Sequence, residues 1–587
     1  MSKIKKAVSI ILSSILIICT FTGCKVNSAD DNAKMQEQFE NLCDRLFKEA
    51  FEDNILDAHF TFSNPSKYGI EYSEEDYNLG EFSEEYLESI YKQSKEDLKE
   101  LKKIRRSALT NEQKLTYDTL VEYLDKQDNY CQTAIITNIM GPNSGLISNL
   151  SSNFIEFQFY DEEDVRIYLD LLADVENYMN QVFTFLSKQA AAGYFMSDYN
   201  ADLVIEQCKK YLAAENDPLI VTFEEKIAKL DISESGKDEY IETNREYVEK
   251  YFNRAYSDTI DVLNELKGSC TNEQGLCNYG EIGEKYYDAI IKEKTSSDMD
   301  GEELADFLDD AMSGLMLELS VILAADYDAY YSALSYQPDF TEPEQVLEYV
   351  LDNMGKDFPE PVTLNYNIEY QNKACEVEHS LAYYVTCRID NVEVNNIKVN
   401  GSEVNEDSLQ LYNTLAHEGY PGHLYEFTYF YANEDVPDIR KILSFIGATE
   451  GWAQYASNLS TDYLDLSENE KRIIYINDLF SYILCSRVDV GVNYEGWDLE
   501  DTREYLSNYI DANTETVESL YYSATGDPGL YFPYTTGYIM MVDLRKTAEE
   551  ELGDEFDACK YHEWLLNTGI TSFEVYEEQL EIWLDAQ

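Results

Sequence analysis

Long segments with apolar residues at every third or fourth position dominate the first 350 residues and restrict the chain to a largely helical fold. The four strongest segments lie at 83–109, 161–193, 238–268 and 300–334. Ser83 precedes two glutamates, as a helix N-cap residue would, and Gly193 stands where a helix C-terminal stop is expected. We therefore predict an N-terminal helical region over residues 35–350.

The sequence pattern changes between residues 360 and 402. Three short runs, PVTLNYNIEY, SLAYYVTCRI and NNIKVNG, are rich in β-branched and aromatic residues and are separated by Asn and Asp. Such runs predict strands joined by turns. Helical periodicity resumes near 406 and continues to the end, apart from a loop around 523–533. The predicted fold class is mainly α, a large helical protein with a small antiparallel β-sheet near 360–402.

The predicted domain organisation has two regions, 35–350 and 351–587. A chain of 587 residues is long enough for a large core. We expect the two regions to form one large domain around a cleft.

The charge balance restricts the possible partners. The chain has 114 acidic and 44 basic residues, a formal net charge of −70. Phosphate backbones would be repelled, so nucleic acid is excluded as an expected partner. The acidity otherwise indicates solubility and says little about substrate.

The first residues are typical of a targeting segment. Three lysines precede a short apolar run that ends in FTGC, which resembles a bacterial lipobox. This implies a lipoprotein signal peptide at 1–23, lipidation of Cys24, a polar tether at 24–34 and an extracytoplasmic, membrane-anchored protein. An ordinary signal peptide with an incidental cysteine is the alternative. The nine cysteines outside Cys19 and Cys24 form no CxxC pair, so a cysteine metal site is not expected.

The segment LAHEGYPGHLYEF at 415–427 holds two of the five histidines of the chain, with a glutamate after the first. His417 and His423 are six positions apart, whereas the zinc-peptidase helix signature H-E-x-x-H spaces its histidines by four. On an ideal helix, six residues rotate two side chains by about 240° and separate them by about 9 Å. Two such histidines cannot bind one ion.

A Pro-Gly pair between the histidines makes the long spacing workable. Pro421 removes a hydrogen bond to the carbonyl of His417, and Gly422 permits unusual dihedral angles. The helix is predicted to end or bulge near Tyr420 and to restart around His423, which can bring the two imidazoles together. Spacing alone leaves two interpretations open, a metal site and a histidine pair on a surface turn.

A third ligand candidate is Glu450, 27 residues after His423 in a predicted helix at 445–459. Its neighbours in GATEGWAQYA are small or apolar, so the carboxylate is expected to point inward, where it needs a cation or a hydrogen-bond donor. A solvated helix residue is the alternative. Catalytic zinc commonly takes three protein ligands of these types.

Four motifs in order, HEGYPGH, TEGWAQYAS, DPGLYFPYTTGYIMMVDLRKTAEEELGDEF and YHEWLLNTG, resemble those of the bacterial zincin-like family catalogued as domain of unknown function 885. The resemblance is dense over roughly 405–570. It implies a gluzincin-type metallopeptidase fold with Zn²⁺ held by His417, His423 and Glu450, and Glu418 as the catalytic base. Tyr534 and Arg545 fall on the family's Tyr and Arg positions.

The chain departs from the family at Asn493, where other members often carry a histidine. If that histidine aids catalysis, activity or substrate choice in this chain is affected. His562 matches a family position without an assigned role. We interpret His562, His379 and His59 as structural.

The expected chemistry is zinc-assisted amide hydrolysis. Glu418 would take a proton from the zinc-bound water, and Tyr534 would donate to the oxyanion, with Tyr538 and Arg545 as further candidates. Asp489 is a candidate carboxylate for orienting a zinc histidine.

Three functional hypotheses remain. The first is a membrane-anchored extracytoplasmic metallopeptidase acting on peptides. The second is a zinc hydrolase of non-peptide amides or esters, with a small amide as substrate. The third is a catalytically inactive ligand-binding lipoprotein.

Overall fold

The computed structural model describes residues 29–52, 54–376, 380–404 and 407–587 of the chain, and helices make up most of them. Fourteen α-helices precede the sheet in these residues: α1 Ala29–Glu49, α2 Ile55–Thr61, α3 Glu84–Leu101, α4 Asn111–Asn129, α5 Leu146–Glu156, α6 Glu162–Ala192, α7 Asp198–Leu212, α8 Pro218–Ala228, α9 Glu234–Tyr247, α10 Asn253–Leu266, α11 Glu281–Thr295, α12 Gly301–Ala325, α13 Tyr327–Leu334 and α14 Pro343–Asn353. Nine follow it: α15 Ser408–Glu418, α16 His423–Ala432, α17 Ile446–Ser460, α18 Glu468–Val490, α19 Leu499–Ser507, α20 Thr514–Gly526, α21 Tyr538–Leu552, α22 Ala558–Thr568 and α23 Phe573–Leu584. The predicted mainly α fold class is confirmed.

Local signals set the ends of the long N-terminal helices. The hydroxyl of Ser83 accepts a hydrogen bond from the backbone N–H of Tyr86 at the start of α3. The 31-residue α6 begins with Asp161 as its cap and ends at Gly193, whose φ of +83° lies in the left-handed region. The segment predicted as one helix at 300–334 is two helices. Asp326 ends α12 and its side chain caps α13.

The small sheet has three strands, β1 Asn367–Tyr370, β2 Ala382–Val385 and β3 Asn396–Val399. Its order is β1-β3-β2, so β3 is central. The β2–β3 pair is antiparallel, but β1 and β3 run parallel. The prediction of a purely antiparallel sheet is therefore wrong in this detail, because the chain crosses over between β1 and β3 instead of returning through a hairpin.

The hydrophobic core is divided differently from the predicted regions. One core combines α1–α4, the sheet and the helices from α11 to the C-terminus. A second core is built almost entirely from residues 140–263, around the buried face of α6. The predicted boundary at residue 350 does not separate these cores, since α11–α13 precede it, α14 spans it, and all four pack with the helices that follow.

Three predictions concern residues outside those described. They are the signal peptide at 1–23, the lipidated Cys24 and the structural role of His379. Residues 29–34, predicted as part of the polar tether, already belong to α1. No helix among the described residues has the length and apolar character needed to cross a membrane.

Candidate metal centre

The HEGYPGH segment forms a helix, a short loop and a second helix. Helix α15 ends at Glu418 and α16 begins at His423, so the predicted interruption is confirmed. The Tyr420–Pro421 peptide bond in the loop is cis. A Cβ atom on Gly422 would lie 1.8 Å from the carbonyl oxygen of His417, so only glycine permits this close return of the chain.

The loop brings the two histidines together with the glutamate from α17. His417 Nε2 lies 3.4 Å from Glu450 Oε2, and His423 Nε2 lies 3.3 Å from the same oxygen. The two imidazole rings are 4.7 Å apart and nearly perpendicular, at 89°. One ligand atom from each residue lies within 4.8 Å of the other two. The structure thus brings together the three predicted ligands, far apart in sequence.

These distances fit a zinc ion. Zinc bonds of about 2.0–2.1 Å in a tetrahedral site place neighbouring ligand atoms about 3.3 Å apart. Although Glu450 Oε2 is buried between two imidazole nitrogens, it makes no hydrogen bond. Three potential ligand atoms that converge in this way are the arrangement expected around a cation.

The opposite charges of these side chains act strongly on one another. Burial alone lowers the pKa of His423, but the carboxylates of Glu450, Glu418 and Glu426 outweigh it and raise the pKa to about 9. Burial alone raises the pKa of Glu450, but His423 and His417 hold it well below its usual range. Glu450 is therefore a carboxylate at neutral pH.

Small residues and one tryptophan fix α17 against its neighbours. Trp452 Nε1 donates a hydrogen bond of 3.1 Å to the carbonyl of Pro421, which ties the helix to the loop between the histidines. A Cβ atom on Gly451 would lie 2.5 Å from the backbone of Gly537, so glycine allows α17 to approach the turn that carries Tyr534. The residues around Glu450 in the E-G-W motif thus position the predicted third ligand.

Glu418 and Tyr534 flank the cluster. Glu418 Oε1 lies 4.0 Å from His417 Nε2, and its Oε2 accepts a hydrogen bond of 2.8 Å from the backbone N–H of Tyr384 in β2. The Tyr534 hydroxyl donates to Glu450 Oε1 at 3.3 Å. Burial and Glu450 raise the pKa of Tyr534 far above neutrality, so it remains a proton donor. Its ring stacks on Tyr482, with centroids 5.8 Å apart.

Two cavities meet at this cluster. The larger has a volume of about 600 Å³ and is lined by residues of α13, α15, α17 and α18. The smaller has a volume of about 470 Å³ and is lined by β2, α16 and the start of α17. His417, Glu418 and Tyr534 line both of them. The cluster therefore lies in a cleft that extends to either side of it.

Arg545 takes part in a separate network. Its guanidinium donates to Glu549 at 2.7 Å and to the hydroxyl of Tyr455 at 3.2 Å. Tyr455 in turn bonds His562 Nε2 at 2.6 Å, and His562 Nδ1 lies 2.6 Å from the carbonyl oxygen of Asp357. Arg545 lines neither cavity at the cluster, so its predicted contact with an oxyanion does not agree with this placement. His562 is buried in this network, which braces α17, α21 and α22 against one another.

Asp489 does not orient a histidine of the cluster. It accepts hydrogen bonds from the Tyr287 hydroxyl at 2.7 Å, from the Asn493 amide at 3.1 Å and from the Gly529 N–H at 2.8 Å. Burial raises its pKa to about 7. The predicted role is wrong, because the partners of Asp489 come from α11, from the turn after α18 and from the 527–532 loop.

Asn493 belongs to the same hydrogen-bond network as Asp489. Its amide nitrogen also donates to the carbonyl of Ala524 at 2.9 Å, and its oxygen accepts from the N–H of Leu276 at 3.0 Å. Asn493 is 1% exposed and lines neither cavity at the cluster. The departure expected at Asn493 therefore lies outside the lining of both cavities at the cluster.

His59, interpreted as structural from the sequence, and Tyr538 both lie in packed surroundings. His59 stacks on Phe157 with ring centroids 3.7 Å apart, and its Nδ1 lies 3.4 Å from Asp164. Tyr538, a reserve candidate for the oxyanion, is 2% exposed and packs against Tyr475.

Sequence reasoning missed three residues near the cluster. Tyr384 holds the predicted base, and Tyr482 supports the predicted proton donor. Glu426 is a buried glutamate one helical turn after His423. Among the described residues its Oε2 has no hydrogen-bond partner, and neither has His423 Nδ1. The three-residue spacing from His423 to Glu426 was the one local signal available.

The fold and the cluster define a large helical protein with a His-His-Glu centre in a deep cleft. The chain belongs to the family described as "Bacterial protein of unknown function (DUF885)", whose model matches residues 64–580. No curated protein matches the chain significantly.

Two solved structures resemble the fold. A protein of Colwellia psychrerythraea described as a "putative lipoprotein" superposes with a TM-score of 0.80 at 18% identity, covering 94% of this chain and 100% of its own. A "putative lipoprotein of unknown function" from Shewanella oneidensis gives a TM-score of 0.57 at 14% identity, covering 94% of this chain and 98% of its own. At these identities the likeness concerns the fold alone.

Proposed function

We propose that this protein is a zinc-dependent peptidase of the zincin type. The observation that supports it most is the convergence of His417, His423 and Glu450. Glu450 Oε2 lies 3.4 Å and 3.3 Å from the two imidazole nitrogens, as expected for neighbouring ligands of a tetrahedral ion, and Glu418 lies beside them in an open cleft. A structural zinc site would be closed by four protein ligands. The described residues supply three ligand atoms here, which fits a catalytic site better.

His417, His423 and Glu450 would hold the metal. Zinc bound there would polarise a substrate carbonyl and lower the pKa of a water molecule. The chain's own residues supply the remaining chemistry.

Glu418 would act as the general base. The Tyr384 N–H fixes one of its oxygens at 2.8 Å, which leaves Oε1, on the side of His417, free to accept a proton. The same carboxyl would then pass this proton to the leaving amine.

Tyr534 would donate a hydrogen bond to the carbonyl oxygen as negative charge develops on it. Its hydroxyl already points at the cluster, and the Tyr482 ring restricts its motion. A positioned, protonated hydroxyl aimed at the developing negative charge is a strong oxyanion donor.

The cleft supports a peptide as the substrate. Cavities on both sides of the cluster leave room for chain on either side of the bond that is cut. Polar side chains line much of the larger cavity, as expected for contacts with peptide groups.

We further propose that the protein is a lipoprotein anchored outside the cytoplasm through Cys24. The FTGC sequence supports this, and two proteins of similar fold are described as "putative lipoproteins". Metabolic labelling with a radioactive fatty acid tests it. Label should enter the wild-type protein and not the Cys24→Ser variant, and equal label in both would refute the anchor.

The activity is tested by measuring bound metal and by digesting an unbiased peptide library read by mass spectrometry. We expect about one zinc per chain and specific peptide cleavage. Glu418→Gln should keep zinc and lose cleavage, whereas the exposed Glu434→Gln should keep both. Zinc with cleavage of esters or non-peptide amides alone would replace the peptidase assignment. Unchanged cleavage by Glu418→Gln would refute its role as base.

A further inference from the structure

The larger cavity beside the cluster is lined by acidic side chains and by no lysine or arginine. Its lining includes the carboxylates of Asp407, Glu418 and Asp478. The smaller cavity also lacks lysine and arginine in its lining. Away from the His-His-Glu cluster, a terminal carboxylate of a substrate would find no lysine or arginine partner in either cavity.

Two of the three carboxylates are already engaged. Asp407 caps α15, accepting hydrogen bonds from two backbone N–H groups, and also accepts one from Gln337. Glu418 is held by the N–H of Tyr384.

Asp478 is different. Its side-chain partner is the neighbouring amide of Asn477, and among the described residues no basic nitrogen lies within 4.0 Å of it. Burial raises its pKa to about 6, which leaves it mostly ionised at neutral pH. It is a carboxylate facing a cavity without a counter-ion.

Asp478 also lines the cavity that extends to the cluster. It belongs to the face of α18 that lines the cavity, four residues before Tyr482, which corresponds to about 6 Å along the helix. Tyr482 stacks on Tyr534, and Tyr534 reaches Glu450. Asp478 therefore lines the same cavity as His417 and Glu418.

We propose that Asp478 is a specificity-determining residue that binds a positively charged group of the substrate. The group is an ammonium or guanidinium, supplied by a free amino terminus or by a Lys or Arg side chain of the peptide bound in this cavity. This inference rests on the proposed peptidase function. The net charge of −70 adds to it by attracting cationic peptides over longer distances.

The test compares matched peptides. A neutral peptide that the enzyme cleaves is resynthesised with a single lysine at each position in turn, and with norleucine there as the uncharged control. Each peptide is made with a free and with an acetylated amino terminus, which separates the two sources of positive charge. The measured quantity is the ratio of kcat/KM between a charged peptide and its uncharged counterpart.

We expect wild type to prefer the charged form at least about tenfold at one position or at the amino terminus, and Asp478→Asn to lose most of that preference. Asp543→Asn is the control for loss of a carboxylate elsewhere, because Asp543 is an exposed carboxylate on α21 that lines neither cavity. It should retain the wild-type ratio. An equal ratio in wild type and Asp478→Asn, or no charge preference in wild type, would overturn the proposal.

Binding measurements distinguish a failure of this inference from a failure of the proposed peptidase function. Calorimetric titration of the Glu418→Gln protein with the lysine and norleucine peptides needs no turnover. If the double variant Glu418→Gln, Asp478→Asn binds the lysine peptide more weakly than Glu418→Gln alone, the cation site is supported. If at the same time the wild-type protein cleaves no peptide, only the peptidase function is refuted. If the lysine and norleucine peptides are cleaved with equal kcat/KM and bound with equal affinity, only the cation site is refuted.

Discussion

Gly422→Ala is predicted to separate the two histidines of the cluster. The added Cβ would lie 1.8 Å from the carbonyl oxygen of His417, whereas Cβ contacts below 3.0 Å essentially never occur. The loop must therefore open by at least 1.2 Å, the difference between these distances. Zinc sites tolerate deviations of only about 0.2 Å in ligand distance. The shift falls between the two imidazoles that are proposed to bind zinc, so both could not keep bonds to one ion.

We expect zinc affinity to fall at least about 100-fold, the upper end of what changes in supporting residues cause. Zinc binding is measured by competition with a chromophoric chelator, alongside the free energy of unfolding of the metal-free protein. Gly314→Ala is the control, because its Cβ would meet nothing within 4 Å in the middle of α12. It should keep wild-type zinc affinity and gain about 0.5–1 kcal/mol of stability. Wild-type zinc affinity in Gly422→Ala would refute the reasoning.

Three further predictions concern single side chains. Tyr534→Phe should keep zinc and lower kcat about 100-fold or more, because it removes the proposed oxyanion donor; unchanged kcat would exclude that role. Glu426→Leu removes the buried polar side chain one helical turn after His423, whose Nδ1 has no hydrogen-bond partner among the described residues, and should weaken zinc binding about tenfold in the same chelator assay; equal affinity would contradict it. His562 is buried and its pKa is lowered from 6.5 to about 3, so the unfolded chain takes up the proton first as pH falls below 6.5. Folding should therefore lose about 2 kcal/mol between pH 7 and pH 5 through this group, and His562→Asn should lack that loss in urea unfolding of the metal-free protein; parallel pH profiles would refute it.

The parts of the fold that depend on neighbouring residues could be predicted from the sequence. Both ends of α6 follow from Asp161 and Gly193, which act on the helix turn next to them. The division between α12 and α13 was missed because apolar spacing continues through Asp326, whose capping role depends on which backbone N–H its side chain meets. The parallel pairing of β1 with β3 was missed because strand order depends on the path of the chain in space.

The same distinction applies to the cluster. His417, Glu418 and His423 share one short segment, and the Pro-Gly pair between the histidines indicates the turn that unites them. Asp489 was assigned wrongly because its partners, such as Tyr287, come from elements far away in sequence.

Crystals of the protein grown with zinc, measured on both sides of the zinc absorption edge, test the central claim most directly. We predict one strong anomalous peak within about 2.0–2.2 Å of His417 Nε2, His423 Nε2 and a Glu450 carboxylate oxygen. A fully zinc-loaded protein with no peak there, or with its zinc bound elsewhere, would contradict the account.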